Sequence, residues 1–179
     1  MPGKHLLALL GASLFAASTA HATPDLIAIG SVSGSYEDFA IETAGPLENG
    51  VPGNRLGGIG SGLAYAGCNT FIALPDRGPN ATPYNSAVDD TASYITRFQT
   101  LNLSLAPSDP GSALPFTLTP FLSATTLLWS RTPLFYGTGT GLGLGSGAPA
   151  LNTKHIHYFT GRSDNFDPNV PSSTNPHNA

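Results

Sequence analysis

The sequence predicts an all-β protein, and both its composition and its apolar pattern lead to that fold class. Glycine and proline contribute 21 and 16 of the 179 residues, and both residue types interrupt helices. Apolar residues recur in short alternating runs, as strands require. Only 10% of the residues are charged, against roughly 25% in an average soluble domain. These observations exclude a helical bundle or a coiled coil and predict loop-rich antiparallel sheets.

Residues 1–22 have the pattern of a signal peptide. A short region with the positive charge of Lys4 precedes an apolar stretch over residues 6–17. Small residues then flank the predicted cleavage site between Ala22 and Thr23. The apolar stretch is shorter than the roughly 20 residues that cross a bilayer core, so we favour a cleaved signal over an uncleaved membrane anchor. The pattern predicts a secreted or periplasmic protein.

The predicted mature domain covers residues 23–179. No second apolar run of spanning length follows the signal, so we expect no membrane span after its removal. The formal net charge is −4 and no cluster of lysine and arginine occurs, which excludes a nucleic-acid partner held by its phosphates. Cys68 is the only cysteine and lies in a predicted turn, so no intrachain disulfide forms.

The predicted strands follow one another with short or loop-like connections. The first two after the polar stretch 30–58 form a hairpin with a four-residue connection. In the longest run, Leu101, Leu103 and Leu105 share one face and alternate with polar residues. The predicted strands cover residues 26–29, 62–65, 70–74, 94–105 and 115–119, and two further candidates cover 125–136 and 154–160.

Four consecutive antiparallel strands form the unit of a propeller blade, so the sequence favours a partial β-propeller, with a β-sandwich as the alternative. A blade takes about 40–50 residues and a closed propeller needs about 4–8 blades. The chain supplies about three, which predicts an N-terminal portion of a longer protein. Glycine at every second position of 137–147 predicts a flexible surface loop, because a phosphate cradle needs a different glycine spacing.

Polar residues at the end of an apolar strand are the first candidate site. Asp76 and Arg77 follow the predicted strand 70–74, and Asn80 lies three residues further on. A guanidinium beside a carboxylate binds phosphate or carboxylate oxygens, which suggests catalytic roles for the first two and ligand binding for Asn80. The alternative is a structural ion pair at the corner of a blade.

Three weaker patterns lie elsewhere. Arg162, Asp164 and Asp167 form a second polar loop that suits ligand binding or acid–base chemistry, with a capped turn as the alternative. Asp89 and Asp90, together with Asp76, offer hard oxygen ligands for Ca²⁺ although without EF-hand spacing, with a solvated loop as the alternative. His155 and His157 fall on one face of a predicted strand, a geometry that can chelate zinc, but no third ligand is identifiable, and the alternative is a pair of ordinary surface histidines.

Two segments carry a family resemblance. Residues 56–65 read Leu-Gly-Gly-Ile-Gly-Ser-Gly-Leu-Ala-Tyr, and residues 71–80 read Phe-Ile-Ala-Leu-Pro-Asp-Arg-Gly-Pro-Asn. Together they resemble the opening of the bacterial "esterase-like activity of phytase" family, in which a Ser-Gly-Leu-Ala-Tyr strand precedes a strand ending in Ser-Asp-Arg-Gly. Here Pro75 replaces the serine. The resemblance runs from about residue 57 to 167 and includes the segment 160–167.

The resemblance implies a β-propeller longer than this chain, and the family's downstream Asp-Pro-Glu-Gly and Asp-Glu-Tyr segments are missing. It also implies an exported hydrolase of phosphate or carboxylic esters. The sequence contains no Gly-x-Ser-x-Gly elbow and no His-Glu-x-x-His motif, which excludes those two mechanistic classes. The alternatives are a non-catalytic extracellular propeller that binds a ligand, and an inactive fragment.

Overall fold

The computed structural model describes residues 24–47, 50–75, 78–79, 93–136 and 148–161. Its main element is a four-stranded antiparallel sheet in which the strands lie in sequence order. A short 3₁₀ helix precedes the sheet, and a two-stranded antiparallel sheet follows it. The elements are the 3₁₀ helix Ile41–Thr43, β1 (Ile59–Gly67), β2 (Thr70–Pro75), β3 (Arg97–Pro107), β4 (Phe116–Leu127), β5 (Trp129–Ser130) and β6 (His157–Tyr158). The predicted all-β class and antiparallel order are confirmed.

The first two strands form the predicted hairpin, but its turn is shorter than the four residues expected. β1 continues through Gly67, so Cys68 and Asn69 alone connect it to β2. Cys68, the first residue of this turn, has a φ of 51°, the left-handed backbone that a tight two-residue turn requires. Cys68 lies in a turn, as predicted, and it is exposed.

The turn between β3 and β4 has a type II signature. The amide of Ser112 donates a 3.1 Å hydrogen bond to the carbonyl of Asp109, and Gly111 has a φ of 91°. Pro110 precedes that glycine, so both central residues suit a type II turn. The Asp-Pro-Gly sequence therefore fixes the reversal that joins the two longest strands.

Several predicted strand bounds are wrong. Residues 26–29 form no strand. A backbone hydrogen bond of 3.1 Å, from the amide of Phe116 to the carbonyl of Ile27, connects them to the sheet. β4 runs well beyond 115–119, through Pro120 to Leu127. Ser123 is left without a partner in the register there, and its hydroxyl donates to the carbonyl of Thr100 at 3.0 Å. This bulge lets one long strand continue where the pattern predicted two.

The hydrophobic core lies between one face of the sheet and the chain that precedes it. Leu56, Ala73, Leu101 and Leu122 are buried together, and the half-buried side chains of Val32, Ile59 and Leu103 pack against them. Strand pairing places Leu101 opposite Leu122, so the core crosses the centre of the sheet. The irregular segment before β1, predicted only as a polar stretch, thus covers one face.

Candidate functional site

The N-terminal segment of residues 34–57 folds back on itself before it reaches the sheet. The amide of Leu56 donates to the carbonyl of Tyr36, and the amide of Asp38 donates to the carbonyl of Asn54, both at 2.7 Å. A third bond, from the amide of Gly57 to the carbonyl of Gly34, closes the fold-back at 3.1 Å. The fold-back brings Asp38 to the start of β3.

Asp38 is the centre of a buried polar network, here called the Asp38 network, which comprises Asp38, Thr43, Arg97, Gln99 and Thr125. Arg97 Nη1 and Gln99 Nε2 donate to Asp38 Oδ2 at 2.8 and 2.9 Å. The amide of Ala40 donates to Oδ1 at 2.9 Å. Thr125 Oγ1 donates to Gln99 Oε1 at 2.6 Å. The carboxylate therefore accepts three hydrogen bonds, and its charge is balanced by a guanidinium.

Arg97 is held from several sides, yet one of its nitrogens stays without an acceptor. Its Nε donates to the carbonyl of Ile95 at 2.9 Å, and Nη1 also donates to Thr43 Oγ1 at 3.0 Å. Its side chain and that of Asp38 are both fully buried. Among the described residues, Nη2 has no hydrogen-bond partner. A buried donor without an acceptor is costly, so this nitrogen is the weak point of an otherwise well-bonded side chain.

A cavity of about 220 Å³ lies beside Arg97 and is here called the Arg97 cavity. Its lining comes from the 3₁₀ helix and the residues after it, from the chain entering β3, and from the segment around residue 150. The apolar part of the lining includes Pro46, Leu47, Ile95, Pro149 and Leu151. Glu42 and Arg97 are its charged members. The cavity therefore has a mostly apolar surface, and the fully buried guanidinium of Arg97 lies behind that surface.

Tyr94 connects this region to the loop that follows β2. The Arg97 guanidinium carbon lies 4.4 Å from the centre of the Tyr94 ring, within cation–π distance. Burial raises the pKa of Tyr94 to about 12, while the Arg97 charge opposes that rise and Asp38 adds to it. A Cβ built on Gly78 would stand 2.6 Å from the Tyr94 ring, so the loop backbone approaches the ring as only glycine permits.

The predicted site residues fall on parts of the chain that the structure does not describe. Asp76, Arg77 and Asn80 lie outside the described residues, as do Arg162, Asp164 and Asp167. The same holds for Asp89, Asp90, the glycine-rich segment 137–147 and the cleavage pair Ala22 and Thr23. Their roles stay predictions.

The predicted histidine pair is corrected. His157 lies in β6, but His155 lies in a turn, so the two imidazoles do not share a strand face. Thr153 Oγ1 accepts hydrogen bonds from the amides of His155 and Ile156 at 3.3 and 3.1 Å, which bends the chain. Within the described ranges, no group of three or more histidine, cysteine, aspartate or glutamate side chains is placed to hold a metal ion.

One pattern in the sequence indicates the Asp38 network. Arg97 and Gln99 continue, two residues at a time, the face that carries Leu101. Extending that alternation toward the start of β3 puts two long polar side chains on the core face. Polar residues on a buried face require partners, and the partner here is Asp38 in the preceding polar stretch.

Comparison with known proteins gives no match: no family model, no curated protein and no solved structure is similar to this chain. A search of the described segments for helices long and apolar enough to cross a membrane finds none.

Proposed function

We propose that this protein is an exported domain that binds a small molecule in the Arg97 cavity. The observation that carries the proposal is a cavity of about 220 Å³ whose lining is mostly apolar and includes two charged residues, Glu42 and Arg97. Ligand pockets are mostly apolar and contain a few polar groups that fix orientation, and this cavity has that composition. Export is proposed from the signal-like pattern of residues 1–22.

The Asp38 network supports binding rather than proton transfer at this place. The Asp38 carboxylate accepts three hydrogen bonds, and one of its donors is a permanent cation. Its side chain is also fully buried, so a substrate proton does not reach it. Its effect is to fix the position of Arg97 in the wall of the cavity, and a rigid, preformed cavity binds a ligand at a lower entropic cost.

Gly45 provides the test of this proposal. It lines the cavity, and a Cβ added there meets no atom within 4 Å, so Gly45→Leu fills space without a clash. Gly58 is equally open and is not among the lining residues, which makes Gly58→Leu the matched control. We expect a fragment screen monitored by protein NMR to find ligands whose binding is lost in Gly45→Leu and kept in Gly58→Leu. A screen without such ligands would overturn the proposal.

We also propose, as a second candidate function, ester hydrolysis at the loop that follows β2. The observation that favours it is the packing around that loop: Gly57 approaches Pro79, and Gly78 approaches the Tyr94 ring. The first contact joins the two segments that carry the resemblance to the phytase-like family, and the second packs the later segment against the residue that precedes β3 by three positions. In this proposal Asp76 and Arg77 act on the ester, and the four-stranded sheet is one blade of a propeller.

The hydrolase proposal is tested with p-nitrophenyl acetate and phytate, each with and without Ca²⁺. We expect Asp76→Ala combined with Arg77→Ala to abolish turnover while the melting temperature stays unchanged. A parallel loss of activity and melting temperature would indicate the structural ion pair instead. The absence of turnover in the unmodified protein would leave the binding function as the better proposal.

A further inference from the structure

We infer that β1 is a docking edge on which a second copy of this chain pairs strand to strand, so that two four-stranded sheets join across a two-fold axis. β1 and β4 are the two outer strands of the sheet. The inference depends on neither of the two proposed functions. The exposure of β1, its lack of charge and the cover of the opposite edge each contribute to it.

β1 is exposed on both of its faces, as the outer strand of an open sheet is. Leu63 lies opposite the buried core residue Ala73 in the register and yet is 57% exposed, and Tyr65 is 66% exposed. Ala64 and Ala66 lie on the other face and are exposed as well. Among the described residues, the cover of the core face therefore ends before β1. An outer strand of this kind presents backbone amides and carbonyls at the surface, and they form a template for a further strand.

The hairpin that carries this edge has no charged side chain. Residues 56–75, which include the whole of β1 and β2, contain no lysine, arginine, aspartate or glutamate. Natural sheets commonly protect an outer strand with charged side chains, above all lysine. Two copies of this hairpin meet without like-charge repulsion between their side chains. An uncharged strand therefore complements itself, whereas an acidic or a basic peptide finds no opposite charge on it.

The start of the opposite edge, on β4, is covered by the N-terminal residues of the same chain. The amide of Phe116 donates to the carbonyl of Ile27 at 3.1 Å. A Cβ built on Gly30 would stand 2.5 Å from the carbonyl oxygen of Leu118, so the backbone of this segment lies directly against β4. The cover obstructs a head-to-tail pairing of β1 with β4 of the next copy. A pairing of β1 with itself uses the same edge on both copies and closes as a symmetric dimer.

The geometry of β1 sets the register of the pair. Two irregularities in its pairing with β2 flank a regular stretch, Gly62–Tyr65. An antiparallel pair with Ala64 opposite itself places Leu63 of each copy opposite Tyr65 of the other, and all four of these side chains share one face. Tyr65 also contacts Phe71, with 5.4 Å between the ring centroids. The pairing thus joins the exposed apolar side chains of two copies on the face that carries the core.

A charge-swap experiment tests the pairing, because Ala64 is exposed and meets itself at the two-fold axis. Sedimentation velocity of the purified chain is expected to show a weak dimer with a Kd of about 100 µM, since one short strand pair buries less than the roughly 1,200 Å² of a standard interface. Ala64→Lys and Ala64→Glu each place like charges opposite each other, so each weakens the dimer at least about tenfold. An equimolar mixture of the two variants restores a dimer, because opposite charges then face each other.

Thr119→Lys is the matched control, because Thr119 is exposed on β4, the opposite outer strand. We expect this variant to dimerise as the parent does. A cross-link tests the register: Ala64→Cys in a Cys68→Ser background forms an intermolecular disulfide under mild oxidation. Cα atoms directly opposite each other in an antiparallel pair lie about 4.5–5.5 Å apart, which suits a disulfide. Thr119→Cys in the same background stays a monomer on a non-reducing gel.

Three outcomes would overturn the inference. A chain that stays monomeric at every concentration would show that no second copy docks on β1, and hydrogen exchange at the β1 amides would then tell whether another part of the chain covers them. A dimer that persists in both Ala64 variants would place the interface elsewhere. Assemblies that keep growing with concentration would exclude the closed two-fold pair. Rescue in the mixture of variants supports the inference, since a misfolded chain would not regain a partner by mixing.

Discussion

Two polar networks of the molecule differ in charge and burial. The Asp38 network is charged, and its ion pair is fully buried. The second, here called the Asn152 network, comprises Tyr136, Asn152 and Tyr158 and is neutral and half-buried. In it, Asn152 Nδ2 donates to the Tyr136 hydroxyl at 2.9 Å, and that hydroxyl donates to the carbonyl of Tyr158 at 2.7 Å.

The difference in burial explains how much each network contributes to the stability of the fold. Water replaces a lost partner in a half-buried neutral network, so its bonds are worth little more than the average hydrogen bond. Water does not reach a sealed ion pair, so the loss of one partner leaves a buried charge. The Asp38 network therefore determines whether the N-terminal segment docks on the sheet, whereas the Asn152 network adjusts the position of the β5–β6 sheet.

The largest expected effect comes from Asp38→Ala. The change leaves the Arg97 cation buried and removes the acceptor of Gln99 Nε2 and of the Ala40 amide. We expect a loss of about 3–5 kcal/mol in the free energy of unfolding. Urea denaturation followed by circular dichroism measures it. A loss of about 1–2 kcal/mol or less would mean that the two networks are equivalent, because that is the value of one or two ordinary hydrogen bonds.

A paired variant separates the cost of an unpaired charge from the value of the ion pair. Asp38→Leu combined with Arg97→Met removes both charges and keeps apolar volume. We expect the double variant to recover most of the stability lost in Asp38→Ala, because replacing a whole buried pair is often neutral. A double variant as unstable as the single one would show that the pair itself, with its hydrogen bonds, stabilises the fold.

The second effect concerns Tyr94, which stacks on Arg97. Its pKa of about 12 in the folded protein exceeds the ordinary value of 10.0, so its neutral form stabilises the fold. That stability is complete below pH 10 and is lost as the pH rises toward 12. Each pKa unit corresponds to about 1.4 kcal/mol, so the loss reaches about 2–3 kcal/mol. Denaturation at a series of pH values measures it.

Tyr94→Phe is the control for this pH dependence. The Tyr94 hydroxyl is buried and has no partner among the described residues, so its removal costs little at pH 7. We expect the variant to lose about 2–3 kcal/mol less than the parent between pH 10 and pH 12. Identical alkaline profiles for the two proteins would contradict the assignment.

The smallest expected effect belongs to Asn152→Ala. It removes the donor to the Tyr136 hydroxyl and the acceptor of the Tyr158 amide, whose bond to Oδ1 is 2.9 Å long. We expect a loss of about 1–2 kcal/mol, because water reaches these half-buried groups. Hydrogen exchange at the Tyr158 amide checks that the change is local. A loss as large as that of Asp38→Ala would erase the distinction between the networks.

The sequence predicted more of the fold than of the candidate site. Alternation and turn residues predicted the β1–β2 hairpin, the approximate position of β3 and the antiparallel order. The bounds of β4 were not predicted, because a bulge at Ser123 lets the strand continue past a change in its pattern. The sequence-predicted candidates around Asp76 and Arg162 lie outside the described residues, and their roles stay predictions.

The sequence by itself determined the all-β class and the reversals of the chain, because strand period and turn chemistry are local properties of a few neighbouring residues. The Asp-Pro-Gly turn before β4 is such a case. Only the tertiary structure decided that Asp38 pairs with Arg97, which lies 59 residues away. No local pattern specifies that pair. It forms because the two polar side chains, buried by folding on opposite segments, satisfy each other where water is excluded.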